Sequence, residues 1–323
     1  MVSADAFAPV AITNRSDFDE SVHFGAVVGL GPSGKVEYAI GDPRVLIYPR
    51  SSNKPMQAVA MLRAGLQLQP DLLAVACASH DGTPMHTGAV LRILDGCGLT
   101  ADSLANTPSM PIDAASEDEI VRAGGAPSAL LMNCSGKHAA MLATCVHNRW
   151  ANDATYLTLG HPLQAFITNT IDELSSETHA HIGVDGCGAP AHAMSLVGLA
   201  RAFRSIANGS SGAGGAFVYA AMTGNPEMVG GRTRDVTLFM QHLPKMMAKD
   251  GADGVFAAAF PDGRAVALKI ADGGDRARPP VMVAALRALG IDVSAVEAHV
   301  QQVIMGHGRQ VGVVRAVVPG LAP

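Results

Sequence analysis

Apolar residues run from Phe24 to Leu30 and again, partly alternating, from Val36 to Ile40. Gly31-Pro32-Ser33-Gly34 between them supplies turn residues, so the segment predicts a β-hairpin. Val45 to Tyr48 predicts a further strand that feeds directly into a helix, whose apolar positions recur at helical spacing from Met56 to Leu66. Pro55 is compatible with the first helical turn, where backbone donors lack partners. A continuous apolar stretch, Leu72 to Ala78, ends on Ser79-His80-Asp81-Gly82. Helices are expected over 87–95, closed by Gly96 and Gly98, and over 138–148, 162–174 and 280–289, with a loop and a short helix between 106 and 126. Near the C-terminus, Gly254–Phe260 and Ala265–Ile270 flank Pro261-Asp262-Gly263-Arg264, the pattern of a second hairpin. Hairpins at both ends with helices between them predict an α+β fold, an α-β-α sandwich with an antiparallel or mixed sheet flanked by helices. Residues 1–323 read as a single domain or as two interleaved lobes, with a flexible loop at 207–215.

Composition narrows the function. A chain of 323 residues with 48% hydrophobic and 16% charged content can bury a large core. A net charge of -5 without a basic run argues against nucleic acid or an anionic membrane as partner. Met1 to Val10 lacks the features of a secretory signal and no apolar run reaches membrane-spanning length, so a cytoplasmic location is expected. The 5 cysteines are odd in number and scattered, unlike a disulfide framework.

Candidate chemistry begins at Tyr48-Pro49-Arg50-Ser51-Ser52-Asn53-Lys54-Pro55. Ser51 and Lys54 fall on one helical face. A serine hydroxyl becomes a nucleophile when a base takes its proton, and a lysine amine can be that base. Lowering a lysine from ~10.4 to near neutrality requires about 4 kcal/mol of destabilised ammonium, which burial and cations such as Arg50 can supply. Ser79 with Lys269 forms a second Ser/Lys pair, and residue order does not rank the two. Lys269 interrupts an apolar strand and so needs a partner, a function or an edge position facing water. Asn133-Cys134-Ser135-Gly136-Lys137-His138 and Val184-Asp185-Gly186-Cys187-Gly188 are further polar clusters. Asp185 is suited to a substrate ammonium and Gly186 to close backbone approach; with Arg50 and His80 they are the candidate substrate-binding positions. Should the fold bring Cys134 and Cys187 together, they would select zinc, with Lys137 as a neutral amine ligand, or form a disulfide. The Ser-Asp-Asn and Lys-Thr-Gly companions of a β-lactamase are not found.

Together these segments resemble the thermolabile, rhizobial-type L-asparaginase family, also called asparaginase II or class 3 asparaginases. The matching residues are Arg50-Ser51, Lys54-Pro55 and Gln57; Ala78-Ser79-His80 and Gly82; Asn133 to His138; His161-Pro162-Leu163-Gln164; Asp185-Gly186-Cys187; and Leu268-Lys269-Ile270 with Asp272-Gly273. The resemblance implies hydrolysis of L-asparagine to aspartate and ammonia, a serine β-lactamase/glutaminase-like fold, a homodimer, and a zinc ion held by Cys134, Lys137 and Cys187. The segment Gly230-Gly231-Arg232-Thr233-Arg234-Asp235 and Met132 depart from the family's pattern. The alternatives are a β-lactamase-like serine hydrolase and a noncatalytic protein that binds zinc or an amino acid.

Overall fold

The computed structural model describes residues 3–317. Its main sheet has 8 strands, all paired antiparallel, in the order β10-β11-β1-β2-β9-β8-β7, with β3 on β2. These strands are β1 (Ala8–Arg15), β2 (Phe18–Leu30) and β3 (Val36–Ile40). After a second, smaller sheet of β4 (Leu46–Ile47), β5 (His181–Val184) and β6 (Pro190–Ser195), the main sheet resumes with β7 (Met247–Gly251), β8 (Val255–Ala259), β9 (Ala265–Ile270), β10 (Gln302–Gly306) and β11 (Arg309–Ala316). Both expected hairpins are present as β2–β3 and β8–β9.

The long strand β2 organises the sheet. Its first half pairs with β1; its second half, from Gly25 to Leu30, pairs with β9 on the opposite edge. β9 is therefore internal, which removes the edge-strand explanation for Lys269. Strands β7 and β8 are buried at every position, the mark of a sheet covered on both faces. Helices α7 (Leu196–Ala207) and α11 (Arg278–Ala288) both pack on β2, β8 and β9.

The other helices assemble beside this sheet: α1 (Lys54–Arg63), α2 (Pro70–Ala76), α3 (Pro84–Asp95), α4 (Ala114–Arg122), α5 (Ser135–Asn148), α6 (Pro162–Ser175), α8 (Ala213–Gly224), α9 (Pro226–Val229), α10 (Asp235–His242) and α12 (Ser294–Glu297). α1 packs on α6 and α8, and α2 on α5 and α8. One buried apolar cluster runs through both the sheet and this helical part. The flexible stretch expected at 207–215 is shorter, because α7 continues to Ala207 and α8 begins at Ala213. Packing against α1 and α2 forms α8 despite the poor helix propensity of Gly214 and Gly215 in its first turn. No helix among the described residues is long and apolar enough to cross a membrane.

Candidate active site

The short strand β4 ends at Ile47, and the chain passes through Tyr48 and Pro49 into a 3-10 turn, Arg50–Asn53, that leads into α1. Arg50 has φ +52, a left-handed conformation that costs an L-residue roughly 1–2 kcal/mol. Ion pairs from its guanidinium to Asp185 (2.8 Å) and Asp253 hold it there. Ser51 follows, half-buried, and among the described residues no hydrogen bond engages its hydroxyl.

Lys54 opens α1 and is 1% exposed. Its Nζ donates to the carbonyl of Ala78 and to Ser79 Oγ at 3.2 Å. Ser79 comes from the loop after α2, and its N–H donates to Val229 O at 3.0 Å. Lys54 thus joins the two candidate serines: it shares a turn with one and hydrogen-bonds the other. The expected pairing of Ser79 with Lys269 does not form. Lys269 Nζ donates instead to the carbonyl of Asp253, and both residues line a cavity of about 670 Å³ together with Tyr48, Arg50 and His181.

The second lysine near Lys54 is Lys249, which the sequence reading missed. It is fully buried on β7 and donates to Asp250 through both the carboxylate and the carbonyl (2.7 Å). Burial pulls its amine down to about 8; Asp250 opposes that shift and Lys54 adds to it. Ser52 Oγ donates to Lys249 O at 3.0 Å, which fastens β7 to the Ser51 turn. A signal was available: Lys249 breaks the apolar run of Met246, Met247 and Ala248 as Lys269 breaks its own, and Lys249-Asp250-Gly251 keeps the Lys and Gly of Lys-Thr-Gly.

His80 lies in the Ser79 loop with both ring nitrogens engaged. Gly82 N–H donates to its Nδ1 at 3.1 Å, which leaves the proton on Nε2 to be donated to Ser135 Oγ at 2.9 Å. The ring is fully buried and its pKa is pushed well down by desolvation. Asp185 sits at the tip of the β5–β6 hairpin, where Gly186 N–H donates to it at 2.8 Å. Burial works against its charge, but Lys137, Arg50 and that N–H hold the carboxyl below its ordinary value. Gly186 is exposed beside it.

Cys134, Lys137 and Cys187 converge behind this site. Cys134 precedes α5, Lys137 lies in its first turn, and Cys187 occupies the hairpin tip. The five cysteines are free thiols, so the disulfide alternative is not formed. Cys134 Sγ donates to Asn133 Oδ1 at 3.0 Å, and the adjacent Cys187 side chain pulls the pKa of Cys134 well below the usual thiol value while its own is raised. Lys137 Nζ donates to Cys187 Sγ at 3.1 Å; burial disfavours its charge, yet the adjacent sulfurs prevail and raise its pKa. Among the described residues no group of three or more His, Cys, Asp or Glu side chains could hold a metal ion. The Lys137 amine falls outside that count. The two buried sulfurs of Cys134 and Cys187 are the soft donors that zinc takes, and Lys137 could join them only as a neutral amine.

A sequence model of the family described as L-asparaginase II matches residues 11–316. No curated protein matches the chain. Among solved structures, Mglu in its native form is 14% identical, with TM-score 0.45, over 84% of this chain. The chain covers 66% of the length of Mglu. A beta-lactamase from Mycobacterium bovis is 15% identical over 82% of this chain and 94% of its own, with TM-score 0.39. EstCE1, a hydrolase with promiscuous acyltransferase activity, is 10% identical over 82% and 93%, with TM-score 0.42.

Proposed function

The chain belongs to the L-asparaginase II family, a family of amidohydrolases, and from that premise we propose that it hydrolyses the side-chain amide of L-asparagine to aspartate and ammonia. The observation that carries the proposal is the placement of the unengaged Ser51 hydroxyl three residues before a buried amine, Lys54, that already hydrogen-bonds Ser79.

Ser51 Oγ attacks the amide carbon while Lys54, in its amine form, takes the hydroxyl proton directly or through Ser79. The resulting tetrahedral oxyanion collapses, the C–N bond breaks, and the proton carried by Lys54 and Ser79 passes to the departing ammonia. Water then attacks the acyl-enzyme ester and returns a proton to Ser51 by the same groups. Lys249 is a second amine within electrostatic reach of Lys54, able to share the relay. Arg50 and Asp185 suit the two ends of an amino-acid backbone, the guanidinium for the α-carboxylate and the carboxylate for the α-ammonium. Their mutual ion pair keeps both charges in place before substrate arrives.

Cys134, Lys137 and Cys187 would hold zinc. Held by these residues, the ion would supply Lewis-acidic positive charge to the site. The attacking group remains the serine.

The test is ammonia release by the purified protein from L-asparagine, with L-glutamine and nitrocefin as competing substrates. Turnover of asparagine that is abolished in Ser51→Ala, at a nearly unchanged thermal midpoint, is the expected result. No ammonia from asparagine, or full activity in the Ser51→Ala protein, would overturn the proposal.

A further inference from the structure

Arg234 immediately precedes α10 and reaches two other elements. Its Nη1 donates to Asp81 Oδ1 at 3.3 Å and its Nη2 to Asp250 Oδ2 at 2.7 Å. The oxygens of Asp250 are thereby divided, Oδ2 to Arg234 and Oδ1 to Lys249. Asp81 lies two residues beyond Ser79, and its N–H donates to Gly230 O at 2.8 Å. A Cβ on Gly231 would come within 1.8 Å of Asp81 Oδ2, so the backbone approaching Arg234 presses directly against that carboxylate.

We propose that Arg234 is a positioning residue for the amide hydrolysis inferred above, its guanidinium fork fixing the Ser79 loop against β7 and so setting Ser79 and Lys54 relative to Lys249. The role rests on that reading of the activity. It requires a fork: a lysine carries the same charge but cannot bridge two carboxylates with planar, divergent donors. Asp81 and Asp250 are both buried, so neither carboxylate can turn to water when the bridge is removed. The groups facing Lys249 are Asp250, Lys54, Arg234 and the Cys77 thiol, which burial keeps neutral. Asp250 favours its ammonium and the two cations disfavour it, so removing Arg234 strengthens the ammonium.

The experiment uses the full-length protein with Arg234→Met and Arg234→Lys. Cyanic acid adds across the N–H of a neutral amine to give a urea, so carbamoylation of Lys249, followed by peptide mass spectrometry across pH, reports its protonation without any substrate. kcat and KM for ammonia release are measured over the same range. In Arg234→Met the labelling midpoint and the ascending limb of kcat should move to higher pH together, by roughly half a unit or more. Arg234→Lys should keep its thermal midpoint within a few degrees of the parent while kcat falls about tenfold and KM stays close to parental. If the methionine variant does not fold, the lysine variant decides alone. Parental turnover in Arg234→Lys, or losses that only track the unfolded fraction with Lys249 labelling unmoved, would overturn the role. A parent protein without amide turnover would strike the proposed activity instead, and the labelling midpoint would then decide on Arg234 by itself.

Discussion

His192 shows how much of this protein's acid response is written into single buried side chains. Its Nε2 donates to Thr168 Oγ1 at 2.8 Å, whose own hydroxyl donates to Gln164 O, and its Nδ1 is buried without a partner. Burial lowers its pKa to about 4; His138, fully buried, is also lowered to about 4 by desolvation. The sign follows from linkage. Between pH 6.5 and about 4 the unfolded chain binds protons that these folded imidazoles refuse, so their contribution to stability is complete above pH 6.5 and is lost as pH falls towards 4. Each such group contributes about 1.4 kcal/mol per pH unit within that window. Urea midpoints should therefore fall steeply from pH 6.5 to 4, and His192→Gln should flatten the slope. An unchanged slope in that variant would show that His192 does not carry the effect. The same scale shows where the sequence was legible. Ser51, Lys54, Ser79 and the Cys134, Lys137 and Cys187 set stood out because polar groups crowded the ends of apolar runs, and the fold gathers them. Their partners were not legible. A spacing of three residues joins Ser51 to Lys54, whereas the hydrogen bond of Lys54 to Ser79 crosses 25 positions and depends on how α2 meets α1.

Elements bring these residues together by contacts too close to admit extra atoms. A Cβ on Gly251 of β7 would lie 2.4 Å from Pro49 O and 2.9 Å from Ser52 Oγ, so the strand and the Ser51 turn are in direct contact. Gly251→Ala should force them apart, costing roughly 1–3 kcal/mol of stability. Activity should fall by more than the folded fraction does, read as kcat per active molecule alongside calorimetry. A variant with parental kcat would mean that this contact does not set the serine's position. Hairpins were readable from sequence because alternation and turn residues are local signals, and both formed as expected. The start of α5 was not. Ser135, Gly136 and Lys137 have the composition of a loop, yet they form the buried first turn of the helix, because Gly136 lets α5 close on Val75 O, 2.3 Å from where a Cβ would stand. β1, β10 and β11 likewise carried no local signal strong enough to separate them from loops, and their register comes from pairing with distant strands.

On the scale of the molecule, the outer part of the main sheet keeps apolar side chains uncovered. Val22 and Phe24 of β2 are each 49% exposed and Val303 of β10 is 43% exposed. Val22 pairs with Ile12, and Val303 with Val313; Ile12 in turn pairs with Arg315 of β11, which is exposed and joined to Asp19, so a charged pair separates the two apolar patches. A homodimer seated on this face would remove them from water at about 25 cal/mol per Å². Light scattering should give twice the chain mass for the parent and the monomer mass for Val22→Asp combined with Val303→Asp; a dimer that survives both substitutions uses another surface. Fold class was legible at this scale because helices between terminal hairpins leave few layer arrangements, and the antiparallel pairing throughout resolves the choice of sheet that sequence left open.

The proposed chemistry begins at the Ser51 hydroxyl and the amine three residues beyond it. The most direct measurement is acid quenching of the protein during turnover of L-asparagine, followed by peptide mass spectrometry of the segment containing Ser51 and Lys54. An aspartyl ester on Ser51, absent from Ser51→Ala and diminished in Lys54→Met, is the predicted result. Continued ammonia release with the adduct on Ser79, or with no acylated serine at all, would contradict it.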